Sequence, residues 1–163
     1  MSIKEKFTPT EWEHLLQSPM LAGLAITAAD PGGLWGAVRE GGAMAGSLMT
    51  ARKEAAADSL VATIVAEFET SEGRGIAADG VKELVRDKKP AEVAHAAVER
   101  LGEIAKLVTE NVPEEADALK TWLRETAVKV AEAGTEGGFL GFGGVKVSEA
   151  EKKTLAEIEA ALG

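Results

Sequence analysis

The sequence contains no cysteine. Disulfides, thiolate nucleophiles and cysteine-bound zinc are therefore excluded outright. Tyrosine is also missing, and aromatic residues make up only 4% of the chain, so the core is not built on large rings. A basic surface is lacking too: Lys and Arg number 18 against 27 Asp and Glu, a net charge of −9. The bases sit singly or in pairs such as Arg52-Lys53, Lys88-Lys89 and Lys152-Lys153. Phosphate backbones would be repelled, which argues against DNA or RNA as a partner. Long hydrophobic runs are absent as well. The uncharged stretch 17–29 is too short and too rich in small residues to span a bilayer, so no membrane insertion is expected. The opening Met1-Ser2-Ile3-Lys4-Glu5-Lys6 lacks the apolar centre of a signal peptide, and a cytoplasmic location is the expectation.

What the chain does have is alanine. The apolar fraction is 45%, much of it Ala, in a chain of 163 residues. That length suits one compact domain, 1–163, able to bury roughly 70% of its unfolded surface. Small side chains let helices approach closely, which offsets part of what large side chains would contribute.

Helix signals follow one another along the chain. Thr8-Pro9-Thr10-Glu11 is a capping box with Pro at the first helical position, predicting a short helix to about Gln17. Ser18-Pro19 predicts a second start, with a helix over 20–29. From Leu34 to Ala45 the pattern is diluted by Gly36, Gly41, Gly42 and Gly46, each costing about 1 kcal/mol in a helix interior, so a packing or hinge role is expected for them. Leu48, Ala51, Ala55, Leu60, Ile64 and Phe68 predict one strong helix over 47–70. Ser71-Glu72-Gly73-Arg74-Gly75 reads as a turn, followed by a helix over 78–88. Pro90 opens the clearest stripe, with Ala94, Val98, Leu101, Ala105 and Val108 on one face. Asn111-Val112-Pro113 breaks it. Ala116, Leu119, Leu123, Ala127 and Val130 form the next stripe. Ser148-Glu149-Ala150-Glu151 is a capping box opening a last helix with Leu155, Ile158 and Leu162 inward. The only strand candidate, Val145-Lys146-Val147, is too short. The fold expected is all-α, a single compact bundle of about seven helices.

Two glycine-rich strings stand apart. Residues 134–144 hold six Gly with Phe139, Leu140 and Phe142 between them. Asp30-Pro31-Gly32-Gly33-Leu34-Trp35-Gly36 has a similar order of acid, paired Gly, two large apolar residues and Gly. Both follow an alanine-rich segment. Either the chain is internally duplicated or a Gly-rich composition has produced the match. Glycine disfavours helix here and implies shaped loops. Trp35, Phe139, Leu140 and Phe142 are then either loop anchors packed on the bundle or contacts to a protein partner or a second copy.

Chemistry-bearing residues are few. Glu11-x-x-His14 and Glu92-x-x-His95 have the i, i+3 spacing used by di-iron carboxylate bundles, with Glu67 and Glu125 available as further carboxylates. Glu is abundant in this chain, so the spacing also arises by chance, and His95 shares its face with Glu92, Glu99 and Lys106. The glycine strings match neither phosphate-loop pattern. No serine sits in a nucleophile motif beside a histidine. The inventory points to no catalytic residue and no cofactor, a divalent metal excepted. Trp12, Trp35 and Trp122 are either core anchors or the lining of an apolar pocket or contact surface.

The C-terminal segment carries a resemblance. Ala131-x-Ala133, the glycine-rich loop, Ser148-Glu149-x-Glu151-Lys152-x-x-Leu155-x-Glu157-Ile158-x-x-x-Leu162-Gly163 resembles the ending of tellurite-resistance TerB-like domains. Ala28-Ala29-Asp30-Pro31-Gly32 is similar to the corresponding loop of their first half. About 45 residues are covered. The resemblance implies an all-helical, internally duplicated fold whose acidic loops bind divalent metal, with Asp30, Glu136, Glu149 and Glu151 as the matching positions. The chain departs from that family by having Thr135-Glu136-Gly137 for its Asp-Gly and a loop lengthened over 139–144. Two functions are expected as alternatives: a non-enzymatic interaction or stress-associated module, or a divalent-metal-binding helical protein.

Overall fold

The computed structural model describes residues 1–29, 34–135 and 147–163, with only the backbone for 34–41 and 134–135. Seven α-helices follow a short 3-10 helix, Ile3–Lys6, among these residues. They are α1 Pro9–Ala29, α2 Leu34–Glu54, α3 Leu60–Glu69, α4 Ser71–Val85, α5 Pro90–Asn111, α6 Pro113–Thr135 and α7 Glu149–Leu162. No strand occurs among the described residues, and the fold is an all-α bundle.

The bundle is built around α1. Its residues from Leu15 to Ala29 carry no charge, and burial extends round the helix: Trp12, Leu15, Leu16, Leu21, Ala22, Ala25 and Ile26 all leave water. A helix apolar on every side has to lie inside, and α1 touches each of the other six helices. Pro19 does not end it, contrary to the expected break at Ser18-Pro19. Proline removes the N–H that would bond the carbonyl of Leu15. The hydroxyl of Ser18 takes that role, donating to Leu15 O at 2.7 Å. The pair that reads as a helix start is therefore a repaired helix interior, buried where no water could repair it.

Two further boundaries differ from expectation. The predicted single helix 47–70 is broken at residues 55–59, where Ser59 caps α3 by accepting from Ala62 N at 3.2 Å. Glu115 of α6 completes that cap, accepting from Leu60 N at 2.9 Å. The segment read as a turn, 71–75, is the first turn of α4. Thr70 caps it, and Gly73 packs so near Glu67 that a Cβ would run into the Glu67 carbonyl. Only a residue without a side chain permits that approach.

The stripes of α5, α6 and α7 pack as the sequence implies. Leu101, Ala105, Val108, Leu119, Leu123, Ala127, Val130, Ile158 and Leu162 belong to one buried cluster that begins at Phe7. Buried hydroxyls of Ser47 and Thr126 meet at 2.6 Å and join α2 to α6, with Thr126 also bonding Trp122 O. No described helix is long and apolar enough to cross a membrane.

Candidate functional site: an acid-rimmed groove

The metal and interaction residues singled out in the sequence fall partly outside the described residues. Asp30, Glu136, Phe139, Leu140 and Phe142 lie outside the described residues, as does the side chain of Trp35. Glu149 and Glu151 open α7, where both carboxylates are engaged. Glu149 lies 2.8 Å from Lys152 Nζ, and that hydrogen bond, with the Lys152 charge, holds its carboxyl below the usual range. Glu151 is buried and accepts from Ser148 N at 2.8 Å, closing the capping box.

The two Glu-x-x-His pairs fare similarly. Glu11 accepts from Thr8 N at 2.7 Å and Glu92 from Lys89 N at 2.8 Å, so each closes the N-terminus of its own helix. His95 is exposed, 3.5 Å from Glu99. His14 is half-buried, and its pKa lies below the ordinary histidine value because burial disfavours the imidazolium and Arg100 repels it. Among the described residues no three His, Asp or Glu gather closely enough to hold a metal ion. Glu67 pairs with Lys4 at 2.6 Å. Glu125 goes elsewhere, to a groove between α2, α3 and α6.

That groove has a volume of about 560 Å³, within the range of ligand-binding clefts, and lies between the end of α2, the start of α3 and the first three turns of α6. Its floor is apolar: Ala51, Ala55, Val61, Ala118 and the ring of Trp122. Glu54, Glu114, Glu115, Asp117 and Glu125 also line it, and no Lys or Arg does. The α6 register explains the lining. Glu114, Asp117 and Ala118, Thr121 and Trp122, then Glu125 recur at three- and four-residue steps and share a face. Lys120 and Arg124 fall on another side, with Arg124 paired to Glu159 of α7 at 2.7 Å, while Lys129 follows Glu125 by one turn, beyond the groove lining.

The five carboxylates are not equivalent. Glu114 is 3.1 Å from Lys6 Nζ, and a bond from its own backbone N–H together with Lys6 holds it below the usual carboxylate range. Glu115 is tied to the first N–H of α3. Among the described residues, Glu54, Asp117 and Glu125 have no hydrogen bond or ion pair. Some acids elsewhere on the surface meet bases, such as Glu69 with Arg52, Glu103 with Arg100 and Glu157 with Lys153, while exposed acids such as Asp58, Glu72 and Asp79 stand apart from one another without one among the described residues. The groove thus combines a buried indole, small apolar walls and three unneutralised negative charges in one concavity, where low-dielectric walls concentrate the field.

The tryptophans divide accordingly. Trp12 is a core anchor, its ring centroid 6.2 Å from that of Phe7, with Lys4 Nζ 5.3 Å from its face. Trp122 is equally buried but forms part of the groove wall. Glu54 and Asp117 were missed in the sequence, which offered Trp122 as a pocket lining only as an alternative to a core anchor. The signal available was on α6, where acids at 114, 117 and 125 share one register and Lys120 and Arg124 another. No family model, curated protein or solved structure matches the chain.

Proposed function

We propose that this protein is a non-enzymatic helical binding module that recognises another protein through the groove between α2, α3 and α6. One observation carries the reading: an apolar floor containing Trp122 is rimmed by Glu54, Asp117 and Glu125, three carboxylates with no partner among the described residues and no lining base. Carboxylates at the mouth of an apolar cleft raise the local concentration of cationic groups and favour their encounter. A second copy of this chain, at net charge −9, meets the same rim at an electrostatic disadvantage, so the partner is a different polypeptide. The tellurite-resistance likeness adds a stress-associated setting to the proposal.

The test uses site-specific photo-crosslinking in cells. A photoreactive residue at Thr121, exposed on the groove wall, is expected to give a discrete adduct with another polypeptide. The same group at Glu99, exposed on α5, is expected to give none. Equal labelling at both positions, or none at Thr121, refutes the groove as a recognition site. An adduct of twice the chain mass would replace the foreign partner by self-association.

A further inference from the structure

We infer that the occupant of this groove is a basic amphipathic segment of the partner, whose Lys or Arg groups meet Glu54, Asp117 and Glu125 while its apolar side chains cover the alanine floor. The inference rests on the binding-module reading and adds the chemistry of what binds. Charge complementarity carries it. Among the described residues three acids lie unpaired on one concavity, while some other exposed acids have a base within 4 Å and others, such as Asp58, Glu72 and Asp79, stand apart from one another. An acidic or neutral occupant would bury those charges without compensation, and a buried unpaired charge costs more than the contact gains.

The floor sets the second half of the chemistry. Ala51, Ala55 and Ala118 present methyl groups, so a backbone or a helix face can come close, and the buried Trp122 closes the wall beside them. A small polyamine would satisfy the charges and leave the apolar floor wet. A segment bearing both charge and apolar residues satisfies both. α6 supplies its carboxylates from 114 to 125, three helical turns, which matches an occupant of about the same length laid along it.

Three tryptophans in the chain make a direct measurement available, because each contributes one indole N–H signal in a nuclear magnetic resonance spectrum. The probes are a synthetic amphipathic peptide of alternating Lys and Leu at helical spacing, the same peptide with Glu for Lys, and spermine. The Lys peptide is expected to shift the Trp122 signal and leave that of Trp12 in place. The variant Glu54→Gln, Asp117→Asn, Glu125→Gln is expected to bind it about tenfold more weakly and with a flatter salt dependence. All three positions are exposed surface carboxylates, so the variant should fold as the parent does, with the Trp12 signal as the internal check. Equal binding of the Glu peptide overturns the charge argument. A Trp122 shift by spermine at the affinity of the Lys peptide overturns the amphipathic segment in favour of a small cation. If neither peptide binds while the Thr121 adduct still forms, the occupant is wrong and the binding module stands. Loss of both refutes the module itself.

Discussion

α2 and α4 are both diluted by glycine, yet a methyl group added to each would meet different surroundings. In α4 a Cβ at Gly73 would strike the backbone of Glu67, and one at Gly80 would strike the buried amide of Gln17 on α1. In α2 a Cβ at Gly42 or Gly46 would meet nothing within 4 Å. The expected packing role is therefore absent at these two positions. The same residue in the same kind of element has opposite meanings, and the neighbouring surface decides which. α4 is tightened against α3 and α1 by Gly73 and Gly80, while its Gly75 faces open space. At Gly42 and Gly46 α2 bears the helix-weakening cost without that return, and its far end forms a wall of the groove.

The comparison breaks most visibly at Gly73. Gly73→Ala gains about 1 kcal/mol of helix propensity, but the clash with a fixed carbonyl that also accepts from Thr70 is expected to exceed it, for a net loss of about 1–2 kcal/mol. Denaturant unfolding measures this, and a neutral or stabilised variant would show that the α3–α4 corner yields freely. Gly80→Ala should lose less, about 1 kcal/mol or under, because Gln17 offers a side chain rather than backbone as the obstacle. In α2 the sign reverses: Gly42→Ala and Gly46→Ala are each expected to stabilise by about 0.5–1 kcal/mol, raising the melting temperature by a few degrees together. A loss at either would mean that these glycines have a partner in solution.

The smallest effect sharpens the contrast between the α5 side and the groove. His14 sits against Arg100 and Glu103 of α5, and its pKa is lowered by burial first and by Arg100 second. A histidine with a lowered folded pKa stabilises the fold fully above its unfolded pKa, about 6.5. That contribution is lost as pH falls through the lower folded value, because the unfolded chain binds the proton more readily. Urea titrations should show stability declining below about pH 6.5, and less so in His14→Gln. The exposed His95 is the control, and an identical response in His95→Gln would assign the decline to other groups.

Much of the fold was legible because helix ends depend on residues three apart. Thr8 with Glu11 and Ser148 with Glu151 make their reciprocal bonds within four consecutive residues, so sequence spacing alone specifies them. The stripes of α5 and α6 were equally local, since burial follows the 3.6-residue period. The failures share a cause. Ser18-Pro19 has the local form of a start, but the surrounding helices exclude water and leave Ser18 to bond Leu15 instead. The break before α3 is sealed by Glu115, 55 positions away, which no local pattern contains.

The same division runs through the candidate site. The sequence determined that the protein is acidic, poor in catalytic side chains and helical, because composition and short-range periodicity carry that information directly. It also placed Glu11 and Glu151 in capping boxes, because a carboxylate three residues past an N-cap finds an unbonded N–H at once. Only the tertiary structure decided which carboxylates were left over. Whether Glu54, Asp117 and Glu125 find a base depends on how α2, α3 and α6 are set side by side, and Arg124 of α6 is turned toward Glu159 of α7. A charge is neutralised by what lies within a few ångströms in space, and for residues on different helices that distance is fixed by packing rather than by sequence separation.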